Sequence, residues 1–185
     1  MKYIVTKESK AFKEVAPEVK GIKNPITLGI KIYGKKDKDT LDAEYKKVSY
    51  SKDYEIAQAL LKQHEELGDK TSEEFYDIRE TMLEDIKRLS EAFVENLNAF
   101  YKKQVLFIKN ASITVADDTG TESVVVIKDT RVVEPIESLW ANSSECLAVL
   151  LDYYFEEDAY KDSLSSTISS TIFNYSLKKE EKLKN

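Results

Sequence analysis

Apolar and polar positions alternate most regularly in residues 26–33. The even positions of this segment are all apolar: Ile26, Leu28, Ile30 and Ile32. The odd positions are Thr27, Gly29, Lys31 and Tyr33. A period of two places one set of side chains on each face of a strand, so the pattern predicts a half-buried β-strand.

Two further segments, residues 105–115 and 121–133, are rich in β-branched side chains, which favour strands. The four residues 117–120 between them read Asp-Asp-Thr-Gly, which is a typical turn signal. We therefore predict a β-hairpin that pairs with the strand at 26–33 in a small antiparallel sheet.

Helical spacing predicts two consecutive helices, near 53–67 and 71–104, that form a long hairpin. In the first, apolar positions recur from Ile56 to Leu67, and Gly68 follows as the expected residue after the helix end. The second opens with a capping box, Thr71 to Glu74. Its apolar positions advance in steps of three and four and predict one core-facing stripe: Phe75, Ile78, Met82, Ile86, Leu89, Phe93, Leu97 and Phe100.

The C-terminal third predicts a helical pair near 143–155 and 158–176. Asn142 has the features of an N-cap, with Glu145 three residues later. Pro135 suits the first turn of a short helix that runs through Trp140. We predict loops at 34–39 and across most of 40–52, and a charged mobile tail at 177–185. These elements predict an α+β fold with a single domain over residues 1–176.

The composition suits a helix-rich folded chain, since only five Gly and three Pro occur among 185 residues. The formal net charge of −6 disfavours binding to nucleic-acid backbones, whose affinity comes largely from Lys and Arg. No apolar run approaches the length that spans a bilayer, and the first residues lack the apolar core of a signal peptide. We expect a cytoplasmic protein that binds neither nucleic acid nor membrane.

The candidate catalytic and metal-binding residues are few. His64 is the only histidine and Cys146 the only cysteine, which rules out ordinary His/Cys zinc sites within one chain. Asp118, Thr119 and Gly120 match the core of an aspartic protease motif, but a hairpin turn explains the same three residues. No Gly-rich phosphate loop occurs. We predict a protein without catalytic residues, bound metal or cofactor.

The remaining class of function is protein binding, and we expect the C-terminal third to provide the binding surface. Aromatic and leucine side chains are dense there, and large aromatics often anchor interfaces. The alternative is that the same side chains fill the core between the last helices. Our candidate partner-binding residues are Leu139, Trp140, Leu147, Leu151, Tyr154 and Tyr160.

This third of the chain resembles tail assembly chaperones of long-tailed bacteriophages. In that group a strand leads into Leu-Trp, then a Glu-Cys-Leu turn opens a leucine-rich helix, and a final Tyr-containing helix ends near Asn. The matching residues are Leu139, Trp140, Glu145, Cys146, Leu147, Leu150, Leu151, Asp152, Tyr160 and Asn174. The strand that ends at Tyr33 and Gly34 before a charged loop is similar to an N-terminal region of that group.

The resemblance implies a protein of the infected bacterial cytoplasm that shields the tape measure protein and/or tail tube subunits before the tail polymerises. It implies a protein partner and no nucleotide, and it leaves a homo-oligomer open. Two alternatives fit the same composition: a small phage-encoded inhibitor that binds a host defence protein, and an enzyme with an unrecognised carboxylate site.

Overall fold

The computed structural model describes residues 12–67, 73–116, 119–132, 140 and 142–182. The fold is α+β, as predicted, with five α-helices and one four-stranded antiparallel sheet in these residues. The chain divides into two compact units. The sheet unit comprises Met1–Lys35 and Tyr101–Asn185, and the helical unit, Lys36–Phe100, is inserted between its two segments.

The sheet has four strands in the order β1-β2-β3-β4: β1 Phe12–Val15, β2 Thr27–Lys31, β3 Val105–Ala116 and β4 Glu122–Asp129. The predicted hairpin is confirmed, because β3 and β4 pair antiparallel with Ile113 opposite Val125. The predicted pairing with the first strand is also confirmed, with Leu28 opposite Ile108. The edge strand β1 was not predicted.

The second hairpin strand ends earlier than predicted. β4 stops at Asp129, and a 3-10 turn follows at Thr130–Val132. The carboxylate of Asp129 accepts a hydrogen bond from the Arg131 N–H at 3.0 Å, which turns the backbone away from the ladder. The prediction of strand through residue 133 was therefore wrong, because local side-chain bonding ends the strand.

Two helices complete the sheet unit: α4 Ser143–Glu156 and α5 Lys161–Lys182. The predicted N-cap is confirmed, since Asn142 Oδ1 accepts from the N–H groups of Ser144 and Glu145, both at 3.0 Å. The helix α5 extends through residues 177–182, which we predicted as a tail. Lys and Glu in that stretch form helix readily, and this accounts for the longer helix.

The core of the sheet unit is built from strand and helix residues that share an apolar face. Phe107 is buried against Gly29, where an added Cβ would lie 2.2 Å from the ring. The other large side chains with under 2% exposure in this unit include Ile26, Leu28, Ile30, Ile108, Leu150, Leu164 and Ile168.

The helical unit contains α1 Lys35–Ser49, α2 Lys52–Glu66 and most of α3 Glu73–Lys102. The helix α1 corrects the loops predicted at 34–39 and 40–52. Leu41, Tyr45 and Val48 have the spacing of one helix face, Leu41 is buried, and the Tyr45 ring lies 5.6 Å from that of Phe100. The many charges of α1 obscured this sparse apolar row.

The predicted helices at 53–67 and 71–104 correspond to α2 and α3. Leu89 and Phe100 of the predicted stripe are buried. The expected positions of Gly68, of the Thr71 cap, of the 117–118 turn and of the short helix at 135–139 lie outside the described residues.

Candidate functional site

The six predicted partner-binding residues are placed differently from one another. Trp140 and Leu147 are half-buried, whereas Leu151, Tyr154 and Tyr160 are each at most 6% exposed. Leu139 lies outside the described residues. The three buried side chains contribute to the core of the sheet unit, and their part in partner binding stays a prediction.

Tyr154 illustrates this structural role. Its hydroxyl donates to the Ser112 carbonyl oxygen and accepts from the Ser112 N–H, both at 2.9 Å. Its ring packs edge-on against Tyr160, with the centroids 4.8 Å apart. Burial raises the pKa of Tyr160. The aromatic cluster thus joins α4 and the residue just before α5 to the backbone of β3.

Cys146 and His64, two of the residues considered for catalysis, belong to different units of the chain. Cys146 is fully buried, and burial raises the pKa of its thiol, so little thiolate forms near neutral pH. His64 lies half-buried on α2. Within the described ranges no group of three His, Cys, Asp or Glu side chains could hold a metal ion.

An ionic cluster that we did not predict lies where β4 ends. The Arg131 guanidinium lies 3.7 Å from the Phe107 ring centroid and pairs with both carboxylate oxygens of Asp129. Thr130, between them, is 2% exposed, and its Oγ1 accepts from the Ile108 N–H at 3.0 Å. All of these groups bond to one another or to the sheet, which indicates a structural role. The Asp-Thr-Arg sequence directly after an apolar strand was the feature from which this cluster could have been predicted.

A groove of about 570 Å³ lies beside β1 in the sheet unit. The charged side chains that line it are Lys13 and Glu18, and α5 contributes a row of Ser and Thr. The Ser163 hydroxyl donates to the Tyr160 carbonyl oxygen just before α5, and the hydroxyls of Ser170 and Thr171 donate to the Thr167 carbonyl oxygen. These three hydroxyl donors therefore already have acceptors within the protein.

The helical unit holds more than half of the large exposed apolar residues among those that the structure describes. It contributes only four of the twenty-three buried apolar residues, but eight of the fourteen large apolar residues that are exposed. Those eight are Tyr50, Tyr54, Ile56, Leu61, Tyr76, Ile78, Leu83 and Val94. Where exposed apolar side chains lie side by side, they mark candidate protein-binding surfaces.

Part of this surface is concave. A groove of about 300 Å³ between α2 and α3 is lined by Gln63, Glu66, Leu67, Ile78 and Met82. Ile78 is 51% exposed although it belongs to the predicted core stripe. We call the five lining residues the helical groove.

A second apolar row follows α3 outside the groove. Tyr76, Leu83 and Val94 are each at least 50% exposed. They are separated by seven and eleven residues, which brings each one back to nearly the same side of the helix over about 27 Å. We call these three residues the α3 row. Its spacing was readable in the sequence, but the stronger stripe from Ile78 to Phe100 obscured it.

The helical unit also holds the acidic excess of the chain. Residues 36–100 contain seventeen Asp or Glu and ten Lys or Arg, a net charge of −7, whereas the whole chain carries −6. The exposed apolar positions therefore lie in a strongly acidic background. A partner with apolar residues flanked by Lys or Arg would match both properties.

No protein-family model, curated protein or solved structure matches this chain. In the part of the chain that the structure describes, no helix is both long enough and apolar enough to cross a membrane.

Proposed function

We propose that this protein is a non-catalytic protein-binding factor that covers apolar helical segments of a partner. The observation that carries the proposal is the apolar surface of the helical unit, where the helical groove and the α3 row remain exposed. A groove between two helices suits the apolar face of an amphipathic helix.

Charge gives the expected partner a second property. The net charge of −7 in residues 36–100 favours a helix whose apolar face is bordered by Lys or Arg, and it raises the rate of association with such a helix. The same charge keeps a complex soluble while apolar surface is being covered.

The biological role that best fits these properties is that of a phage tail assembly chaperone in the infected bacterial cytoplasm. The resemblance of the C-terminal third supports this role, with the tape measure protein and/or the tail tube protein as the partner. A long helical tape measure exposes apolar stripes that would aggregate before the tube encloses them. Displacement by the polymerising tube would release the chaperone without a nucleotide.

Co-expression tests this proposal. The chain is expressed with the tape measure protein or with the tail tube protein of the same phage, and solubility and co-purification are measured. We expect the partner to become soluble and to co-purify. If neither partner binds and a host defence protein is captured from infected cells instead, the inhibitor alternative replaces the chaperone.

Single substitutions test where the partner-binding surface lies. Leu83→Glu adds a charge to the α3 row and Ile78→Glu adds one to the helical groove, so each should lower partner affinity at least about tenfold. Thr81→Glu is the matched control, because Thr81 is exposed on another side of the same helix. Equal binding by all three variants would place the binding surface elsewhere.

A further inference from the structure

Among the residues that the structure describes, the outer edge of β4 is open for strand pairing. β4 is the last strand of the sheet, and among the described strands only β3 pairs with it. Val124 and Val126 are 67% and 65% exposed, and Glu122 and Lys128 are exposed on the same face. A strand edge without a neighbour that carries exposed apolar side chains is a template for another strand.

The hydrogen bonds of β3 show which backbone groups of β4 point outward. Ser112 lies opposite Val126, but its N–H and C=O both bond to the Tyr154 hydroxyl. The pair Ser112–Val126 is therefore a non-hydrogen-bonded pair of the antiparallel ladder. The N–H and C=O of Val126 consequently point away from β3, and the alternation along the printed pairs extends this to Val124 and Glu122.

We propose that two copies of this chain pair through their β4 edges, antiparallel, to form one continuous sheet. A second copy is the occupant that the charges favour. With Val125 on the two-fold axis, Val124 lies opposite Val126 of the second copy, and Glu122 lies opposite its Lys128. The ion pair forms twice by symmetry, at the two ends of the paired segment.

Neighbouring registers lose this complementarity. The outward backbone groups occur at even positions, so a two-fold register must pair even residues with even residues. Placing Val124 on the axis would put Glu122 opposite Val126, and placing Val126 there would put Lys128 opposite Val124. Only the register centred on Val125 pairs the valines with each other and the opposite charges with each other.

The interface is one strand wide, so we expect a dissociation constant of about micromolar or weaker. This assembly is independent of partner binding by the helical unit, because it uses only residues of the sheet unit. It would give each assembly two copies of the helical groove and so strengthen binding to a partner with repeated sites.

Sedimentation velocity over a range of concentrations tests the proposal on the full chain. The wild-type protein should shift from monomer to dimer as its concentration rises. Lys128→Glu places Glu opposite Glu122 at both ends, and Glu122→Lys places Lys opposite Lys128. Each should weaken the dimer roughly tenfold or more. The double variant Glu122→Lys/Lys128→Glu restores both pairs and should return to within about threefold of wild type.

Val126→Pro is an independent test. It removes one outward N–H donor and leaves the bonds between β3 and β4 in place, as proline permits at a strand edge. We expect a folded monomer, with folding checked by circular dichroism. If this variant does not fold, the charge reversals at Glu122 and Lys128, which are exposed residues, still test the proposal. A wild-type chain that stays monomeric at every concentration overturns the proposal, and so does a dimer that the single charge reversals leave unchanged. A double variant that does not recover overturns the register.

Discussion

The Tyr154 hydroxyl satisfies both backbone groups of Ser112, at 2.9 Å to the N–H and 2.9 Å to the carbonyl oxygen. β2 pairs with β3 only as far as Lys109, so β3 continues beyond its neighbour. Beyond that end, a side chain from α4 takes the place of a strand. The contact links the position of α4 to the register of the hairpin.

Removal of this hydroxyl should destabilise the protein. Tyr154→Phe keeps the buried ring and leaves a backbone donor and acceptor without their partner, so we expect the free energy of unfolding to fall by about 1–3 kcal/mol. Urea denaturation measures the change. Tyr50→Phe is the control, because Tyr50 is 71% exposed, and it should change stability by less than about 0.5 kcal/mol. Equal effects from the two variants would contradict this role of Tyr154.

Gly29 and Phe107 form a second close relationship that a double-mutant cycle can test. A Cβ at position 29 would overlap the Phe107 ring at 2.2 Å, so Gly29→Ala should destabilise by about 3 kcal/mol. Phe107→Leu removes part of the ring and costs stability by itself. In the double variant the alanine should cost at least about 1 kcal/mol less than in the wild-type background. Additive effects in thermal or urea unfolding would show that the ring is not the obstacle.

The ion pair at the end of β4 predicts a pH dependence of stability. The hydrogen bond from Arg131 lowers the pKa of Asp129 below its ordinary value of 3.8. A folded-state pKa below the unfolded one gives stability that is present above 3.8 and is lost as the pH falls through the folded pKa. The difference in unfolding free energy between wild type and Asp129→Asn should therefore be largest near neutral pH and should shrink as the pH falls below 3.8.

Urea unfolding of both proteins across this pH range gives the measurement. Glu44→Gln removes an exposed carboxylate of α1 and serves as the control for a general change of charge. If the difference in unfolding free energy between wild type and Asp129→Asn does not change with pH, the ion pair with Arg131 is not its cause.

Cys146 should report on opening of the sheet unit. Its thiol is fully buried, and burial raises its pKa, so reaction with a thiol reagent should be slow in the native protein and fast in urea. Ser144→Cys adds an exposed thiol to the same helix start and should react at once. Rapid labelling of Cys146 without denaturant would show that the first turn of α4 opens readily.

The sequence predicted most of the sheet because its patterns were regular. Alternation at Ile26 to Ile32 and the β-branched runs around 117–120 were enough to place three strands. The edge strand β1 was missed because its four residues, Phe12–Val15, are mostly exposed and give no alternation. A strand of this kind is determined by its neighbour β2 rather than by its own pattern.

Helix α1 and the site were harder to predict for related reasons. Leu41, Tyr45 and Val48 were too few among the charges to indicate a helix. Aromatic density indicated a surface near Tyr154 and Tyr160, but the same density serves a core, and a sequence does not show which neighbour covers a side chain. The exposed row Tyr76, Leu83 and Val94 has a plain helical period, yet a period alone does not show which of two stripes becomes buried.

The insertion of residues 36–100 between two paired strands has a consequence for folding. β2 and β3 are antiparallel neighbours, and the Lys31 N–H donates to the Gln104 carbonyl at 2.9 Å. A short turn joins such strands in most hairpins. Here the pairing of β2 with β3 must bring together residues on either side of the inserted helical unit, which costs more chain entropy. Pairing of β1 and β2 with β3 and β4 therefore joins residues far apart in sequence, and we expect it to limit the folding rate.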